Sequence, residues 1–157
     1  MALKPLRILA VGQLRTVHWK SAAAHYMERL RHWRAVRETL VKDGDAALPL
    51  AERNRLEGQR LLAALTPTDC CVCMDERGKA YSSTEFASFL QRISENNARV
   101  PCFVLGGAFG LDPAVREASR HVISLGPMTL PHELARVVLL EQLYRAEAIL
   151  RRVPYHH

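Results

Sequence analysis

Cys102-Phe103-Val104-Leu105-Gly106-Gly107-Ala108-Phe109-Gly110-Leu111-Asp112-Pro113 carries the fold class in twelve residues. Its apolar start reads as a strand, and the glycines that follow open it into a turn. Asp112 is then a helix N-cap, and Pro113 suits the first helical position, where a missing N–H costs nothing. Strand, glycine turn and helix start form the unit of an α/β fold, and the same alternation continues outward in both directions. Downstream, Val122-Ile123-Ser124-Leu125 is a fifth strand, residues 126–131 an irregular loop, and Glu133 to Arg151 the last and longest helix. Upstream, Ser82-Ser83-Thr84-Glu85 is a capping box that starts a helix running to about Ser94. Before it come a strand from Cys70 to Met74 ending in the turn Asp75-Glu76-Arg77-Gly78, and a helix from about Ala51 to Leu65 stopped by Thr66-Pro67. A strand from Val36 to Lys42 precedes these. The chain starts with a strand, Leu6 to Val11, and a helix from about Ser21 to Arg34 whose inner side carries Ala24, Met27 and Leu30. A largely parallel sheet follows from this order. No repeat, linker or low-complexity tract interrupts it, so residues 1–157 are expected to form one domain.

The chain has 157 residues, 48% hydrophobic and 24% charged, a composition that excludes wholesale disorder, fibrous repeats and membrane proteins. No apolar run approaches the roughly 18 residues of a spanning helix, and the N-terminal residues lack a secretory pattern, so a cytoplasmic address is expected. The formal net charge is +6, with Arg29, Arg31, Arg34 and Arg37 close together and Arg145, Arg151 and Arg152 near the end. Such a field suits a polyanion, and equally suits the solvated face of a helix.

Four cysteines occur, and Cys70 and Cys73 form a C-x-x-C pair. On a strand, side chains three apart face opposite sides, so the two share neither a metal nor a disulfide; reduced core thiols and no metal are expected. In the last helix Val137, Val138, Leu139, Leu140, Leu143 and Tyr144 make an apolar band wider than one core-facing stripe, so part of it is expected to bury against a second subunit.

Three features bear on chemistry. The glycine turn after the fourth strand exposes amide groups at a helix start. Its pattern is G-G-x-x-G, however, placed late in the chain, and the next strand ends Ser124-Leu125-Gly126 with no carboxylate, which disfavours a dinucleotide site. The loop Leu125-Gly126-Pro127-Met128-Thr129-Leu130-Pro131-His132 would form a second wall at the same sheet edge. The tail Arg151-Arg152-Val153-Pro154-Tyr155-His156-His157 combines guanidiniums with rings, a mixture suited to phosphates and unpaired bases.

Taken together, Phe103-Val104-Leu105-Gly106-Gly107-Ala108-Phe109-Gly110-Leu111, Ser124-Leu125-Gly126-Pro127-Met128-Thr129-Leu130-Pro131-His132, Leu140-Glu141-Gln142-Leu143-Tyr144-Arg145-Ala146 and Pro154-Tyr155-His156 resemble the minimal SPOUT-class RNA methyltransferases. The resemblance extends through Val11-Gly12-Gln13-Leu14, Glu57-Gly58, Leu61 and Asp75-Glu76-Arg77-Gly78-Lys79. It implies a parallel sheet with a C-terminal trefoil knot, a homodimer, and S-adenosylmethionine bound by Met74, Gly106, Leu125, Gly126, Pro127, Met128, Thr129 and Leu130. The implied substrate is N3 of a pseudouridine in the intersubunit stem-loop of 23S rRNA, on the assembled 70S ribosome. The chain departs from the family where Gly126 replaces a usual Ser and His157 a usual basic residue.

Transfer to N3 requires loss of its proton, so a base or anion-stabilising group is needed. Candidates are Glu141, Arg145, His132, Tyr155 and His156, with Arg145 stabilising charge and Glu141 either orienting it or taking the proton. His132 is equally readable as a helix start residue, while Tyr155 and His156 are expected to shape an RNA pocket on one subunit beside cofactor held by the other. Two alternatives remain: an RNA-binding factor without catalysis, separated by cofactor affinity, and a SPOUT enzyme acting on tRNA, separated by which RNA gains the methyl group.

Overall fold

The computed structural model describes residues 3–96 and 98–157. Five parallel strands, β1 (Leu6–Val11), β2 (Val36–Val41), β3 (Asp69–Ala80), β4 (Val100–Leu105) and β5 (His121–Ser124), form one sheet in the order β2-β1-β4-β3-β5. The connecting helices are α1 (Val17–Arg31), α2 (Leu50–Ala64), α3 (Ser83–Glu95), α4 (Pro113–Ala118) and α5 (His132–Leu150).

Alternation along the strands sorts the core into two layers. Leu6, Ile8 and Ala10 of β1, with Cys70, Val72, Phe103 and Leu105, face α1, α3 and α5. Leu9 and Val11, with Cys71, Cys102 and Val104, face Leu61 of α2 and Val115 of α4. Cys70 therefore lies on the opposite side from Cys71 and Cys73, and all four cysteines are free and buried. Burial raises each thiol, with Cys73 and Cys102 pushed up to about 12, so these sulfurs are inert packing groups.

Ser82 and Glu85 close the expected capping box, and Asp112 caps α4 by accepting from the Ala114 N–H. Three expectations need correction. β3 does not stop at Met74: after an Asx-type turn, in which Arg77 N–H donates to Asp75 Oδ1, the chain rejoins β5, so that Met74 and Lys79 both lie opposite Ile123. The inner stripe of α1 is Ala23, Met27 and Leu30, with Ala24 outside. Arg34 is no part of a surface field. It is buried, donating from Nη1 to Glu147 Oε1 (2.9 Å), from Nε to the Lys4 carbonyl (2.7 Å) and from Nη2 to Ser94 Oγ (2.9 Å). Of the apolar band on α5, Val137, Leu139, Leu140, Leu143 and Tyr144 are buried within this chain. Two helices, α1 and α3, flank α5 on the sheet and cover these five residues, while Val138 of the same band is only half-buried.

Candidate functional site

The break in β3 at residues 74–77 and the carboxyl ends of β4 and β5 converge on a cleft of about 430 Å³. That volume falls in the roughly 300–1,000 Å³ range of ligand pockets, and the outer end of parallel strands is where α/β sheets bind ligands. Met74, Asp75, Glu76 and Arg77 form one wall, Leu105 to Leu111 the floor, and Leu125, Gly126, Met128, Thr129 and Leu130 the other wall. Arg116 of α4 and His132 and Ala135 of α5 complete it.

The glycine turn folds tightly because Gly106 packs on Gly110: a Cβ at Gly106 would stand 2.6 Å from the Gly110 carbonyl carbon. Gly110 itself has φ +87°, a region that side chains rarely enter. From below, α2 braces the turn. Asn54 Nδ2 donates to the Phe109 carbonyl at 3.2 Å, the Arg53 guanidinium lies 5.4 Å from the Phe109 ring centre, and the buried Glu57 carboxylate fills the space beside Gly107. Sequence reading gave α2 no such role; Glu57-Gly58 was a weak signal of it, since Gly58 leaves room for the Asp112 side chain.

The second wall is held at Gly126, whose φ is +130°. Ser124 Oγ accepts from the Gly126 N–H (3.0 Å) and donates to the Gly126 carbonyl (2.8 Å). Thr129 Oγ1 donates to Glu76 Oε2 at 3.3 Å, joining the two walls across the mouth, while Met128 stands 82% exposed on the rim. Pro127 belongs to the same loop but is not among the residues facing the cleft.

Glu133, beside His132, ties α5 to the start of α1. Its Oε2 accepts from Thr16 Oγ1 (2.6 Å) and its Oε1 from the Arg15 N–H (2.5 Å) and Thr16 N–H (3.3 Å). These bonds, the Thr16 hydroxyl first, pull its carboxyl down to about 2. A lowered folded-state value gives stability that is present above the ordinary carboxylate range and lost as pH falls toward 2. The site is open to solvent, so the effect is small. Glu133→Gln is expected to melt about 2 °C below the parent near neutrality and to converge with it by about pH 2. Thermal melts at several pH values check this, and parallel curves at all pH values would count against it.

A second cluster sits on the second half of α5 and the tail that follows it. Glu141 Oε1 accepts from Arg145 Nε (2.9 Å), Arg145 Nη2 (2.6 Å) and the Tyr155 hydroxyl (3.1 Å), and its Oε2 accepts from Gln142 Nε2 (2.9 Å). Arg145 Nη1 meets His156 Nδ1 at 3.1 Å, and the same guanidinium lies 4.7 Å from the Tyr155 ring centre. A guanidinium only donates, so His156 accepts at Nδ1 and carries its hydrogen on Nε2. Burial, then Glu141, push the Tyr155 hydroxyl up to about 12, which keeps it a donor. Glu141 already accepts four hydrogen bonds. The geometry therefore favours orientation of Arg145 and Tyr155 over proton removal by this carboxylate.

The structure thus brings together Glu141, Arg145, Tyr155 and His156, and separately Met74, Gly106, Leu125, Gly126, Met128, Thr129, Leu130 and His132. His132 and Arg145, thirteen positions apart on one helix, are separated by about 20 Å along its axis. A smaller cavity behind Leu125 and Gly126 reaches Gln142, the neighbour of Glu141.

Residues 5–156 match the family described as "Predicted SPOUT methyltransferase". The chain is 67% identical over 155 residues to "Ribosomal RNA large subunit methyltransferase H" of Nitratidesulfovibrio vulgaris Miyazaki F, covering 99% of this chain and 100% of the relative. It is 52% identical to the protein of that name from Lawsonia intracellularis, over 100% of both. Among solved structures, a probable methyltransferase from Bordetella pertussis superposes with a TM-score of 0.59 at 19% identity, covering 91% of this chain and 94% of that one. The SpoU methyltransferase AviRb from Streptomyces viridochromogenes, solved with AdoMet, gives 0.50 at 15% identity, covering 99% of this chain and 61% of that one. At such identities the two structures speak to fold alone.

Proposed function

Because the chain belongs to the SPOUT methyltransferase family, we propose that it methylates N3 of a pseudouridine in 23S rRNA on the assembled 70S ribosome, as a cytoplasmic homodimer using S-adenosylmethionine. The whole chain acts as one domain, and its C-terminal segment, from β5 into α5, is threaded as the family's trefoil knot. The observation that carries the reading is the separation of two half-sites on α5. A cleft suited to a nucleoside lies beside the start of α5, and an RNA-type cluster of Arg145, Tyr155 and His156 lies on its second half and the tail, with His132 and Arg145 about 20 Å apart along the axis. A second copy supplies the missing half: the tail of one subunit closes over the cleft of its partner.

The cleft fits the cofactor. Met74, Leu105, Leu125 and Leu130 offer apolar walls for a purine, the backbone of the glycine turn and the Leu125–Leu130 loop offers donors and acceptors, and Thr129 with Glu76 offers polar partners for a ribose. Pro127 stiffens that loop without facing the cleft. When bound, S-adenosylmethionine supplies an electrophilic methyl group on sulfur, so the protein has only to align donor and acceptor and to favour the deprotonated base. Arg145, held by Glu141, faces the negative charge that develops as N3 loses its proton to solvent. Tyr155 and His156 bound the pocket for the base, Tyr155 with its ring while its hydroxyl stays on Glu141, and His156 as a donor through Nε2. His132, on the wall of the cleft, contacts cofactor and not the departing proton.

Calorimetric titration with S-adenosylmethionine, with a mass measurement, tests the reading. One ligand bound per site of a dimer, followed by methyl transfer to ribosomes lacking the modification, is the expected result. A folded protein that binds no cofactor is an RNA-binding factor instead, and methyl transfer to tRNA alone would overturn the substrate.

A further inference from the structure

We propose that Arg29, on α1, grips a backbone phosphate of the RNA strand that flanks the target nucleotide; this rests on the reading that the Arg145–Tyr155–His156 cluster faces RNA. Three other arginines in this region each have a carboxylate: Arg34 and Arg151 share Glu147, and Arg145 has Glu141. Arg29 has none among the described residues. Its Nη2 donates to the Tyr144 hydroxyl at 2.9 Å, which leaves the rest of its donor fork free.

The guanidinium is held in place all the same. It lies 4.7 Å from the Tyr144 ring centre and 5.8 Å from that of Tyr155. Tyr144 is buried and stacks on Trp33 at 5.0 Å with an interplanar angle of 2°, and it meets Tyr155 edge-on at 4.7 Å, so both rings are fixed. Arg29 and Arg145 therefore flank the same tyrosine, one neutralised by Glu141 and the other not. A planar fork fixed on rings, exposed to solvent and without a counter-charge, matches a phosphate in shape and sign and loses little side-chain freedom on binding. Arg29 also lies in the last turn of α1, where any cation is favoured, a helix-stabilising role that needs no RNA. Salt dependence separates the two.

Binding of the dimer to 70S ribosomes lacking the modification is measured between 50 and 300 mM salt for the wild type, Arg29→Ala and Arg29→Lys. Each phosphate contact contributes roughly 0.7–0.9 to the slope of log affinity against log salt. Arg29→Ala is expected to lower the slope by about that amount and to weaken binding about tenfold, with dimer mass and S-adenosylmethionine affinity unchanged. Arg29→Lys, which keeps the charge but not the fork, should recover the slope and only part of the affinity. Weaker binding at an unchanged slope would overturn the proposal in favour of a brace for the tail. Loss of dimer mass would assign Arg29 to the subunit contact. If the wild type itself binds no ribosome, the functional reading fails and the inference with it, whereas equal binding by wild type and Arg29→Ala removes the inference alone.

Discussion

Gly106→Ala is expected to cut S-adenosylmethionine affinity by about 100-fold. The new methyl group would sit 2.6 Å from the carbonyl carbon of Gly110, a backbone atom that no rotamer change can move aside. The turn would have to open, and overpacking of this kind costs roughly 1–3 kcal/mol, where 1.4 kcal/mol is a factor of ten in affinity. Relief is blocked on the other side, because Asn54 and Arg53 hold Phe109 and Glu57 fills the space beside Gly107. Gly126→Ala makes the informative comparison: its Cβ meets nothing within 4 Å, so only the backbone dihedral of +130° opposes it. A loss nearer tenfold is expected there. Titration calorimetry on both variants, with melting curves to verify folding, decides the matter; affinity near wild type for Gly106→Ala would mean that the turn does not form the cofactor floor.

Arg145→Ala should lower kcat by 100- to 1,000-fold while leaving cofactor affinity within about twofold, the range seen when one preorganised donor is removed from a developing anion. Three bonds are lost at once: two to Glu141 and the contact that orients His156. Arg145→Lys retains charge but not the fork that spans Glu141 and His156, so it should recover little. Single-turnover methylation of ribosomes separates chemistry from release. Normal turnover by the alanine variant would take Arg145 out of the reaction.

Local chemistry made much of this fold legible. β1 spans the expected residues, Ser82 and Glu85 make their reciprocal cap, and Asp112-Pro113 starts α4, because each signal is completed among sequence neighbours. The cleft walls were legible for the same reason, as glycine and proline mark where a chain leaves a strand. What escaped depends on partners distant in sequence. Asp75-Glu76-Arg77-Gly78 has the chemistry of a turn and is one, yet only β5, more than forty residues on, explains why the strand resumes at Lys79. Arg34 resembles its exposed neighbours until Glu147 is brought beneath it, 113 residues later. Most of the band on α5 is covered by α1 and α3, and hydrophobicity alone reports that a surface is covered, not which element covers it.

The length of α5 imposes an angular phase. Each α-helical residue turns its successors by about 100° and advances them by about 1.5 Å. One residue inserted or removed between Arg136 and Glu141 would swing Arg145 and the tail together by about 100° relative to the cleft, and Arg136, which bonds the carbonyls of Val11 and Gly12, would pin the front half so that the error could not be shared. Loops such as residues 43–48 can absorb a change of length. Helix α5 behaves as a gear shaft between two workplaces, open to substitution along its outer stripe and closed to any change in its count of teeth.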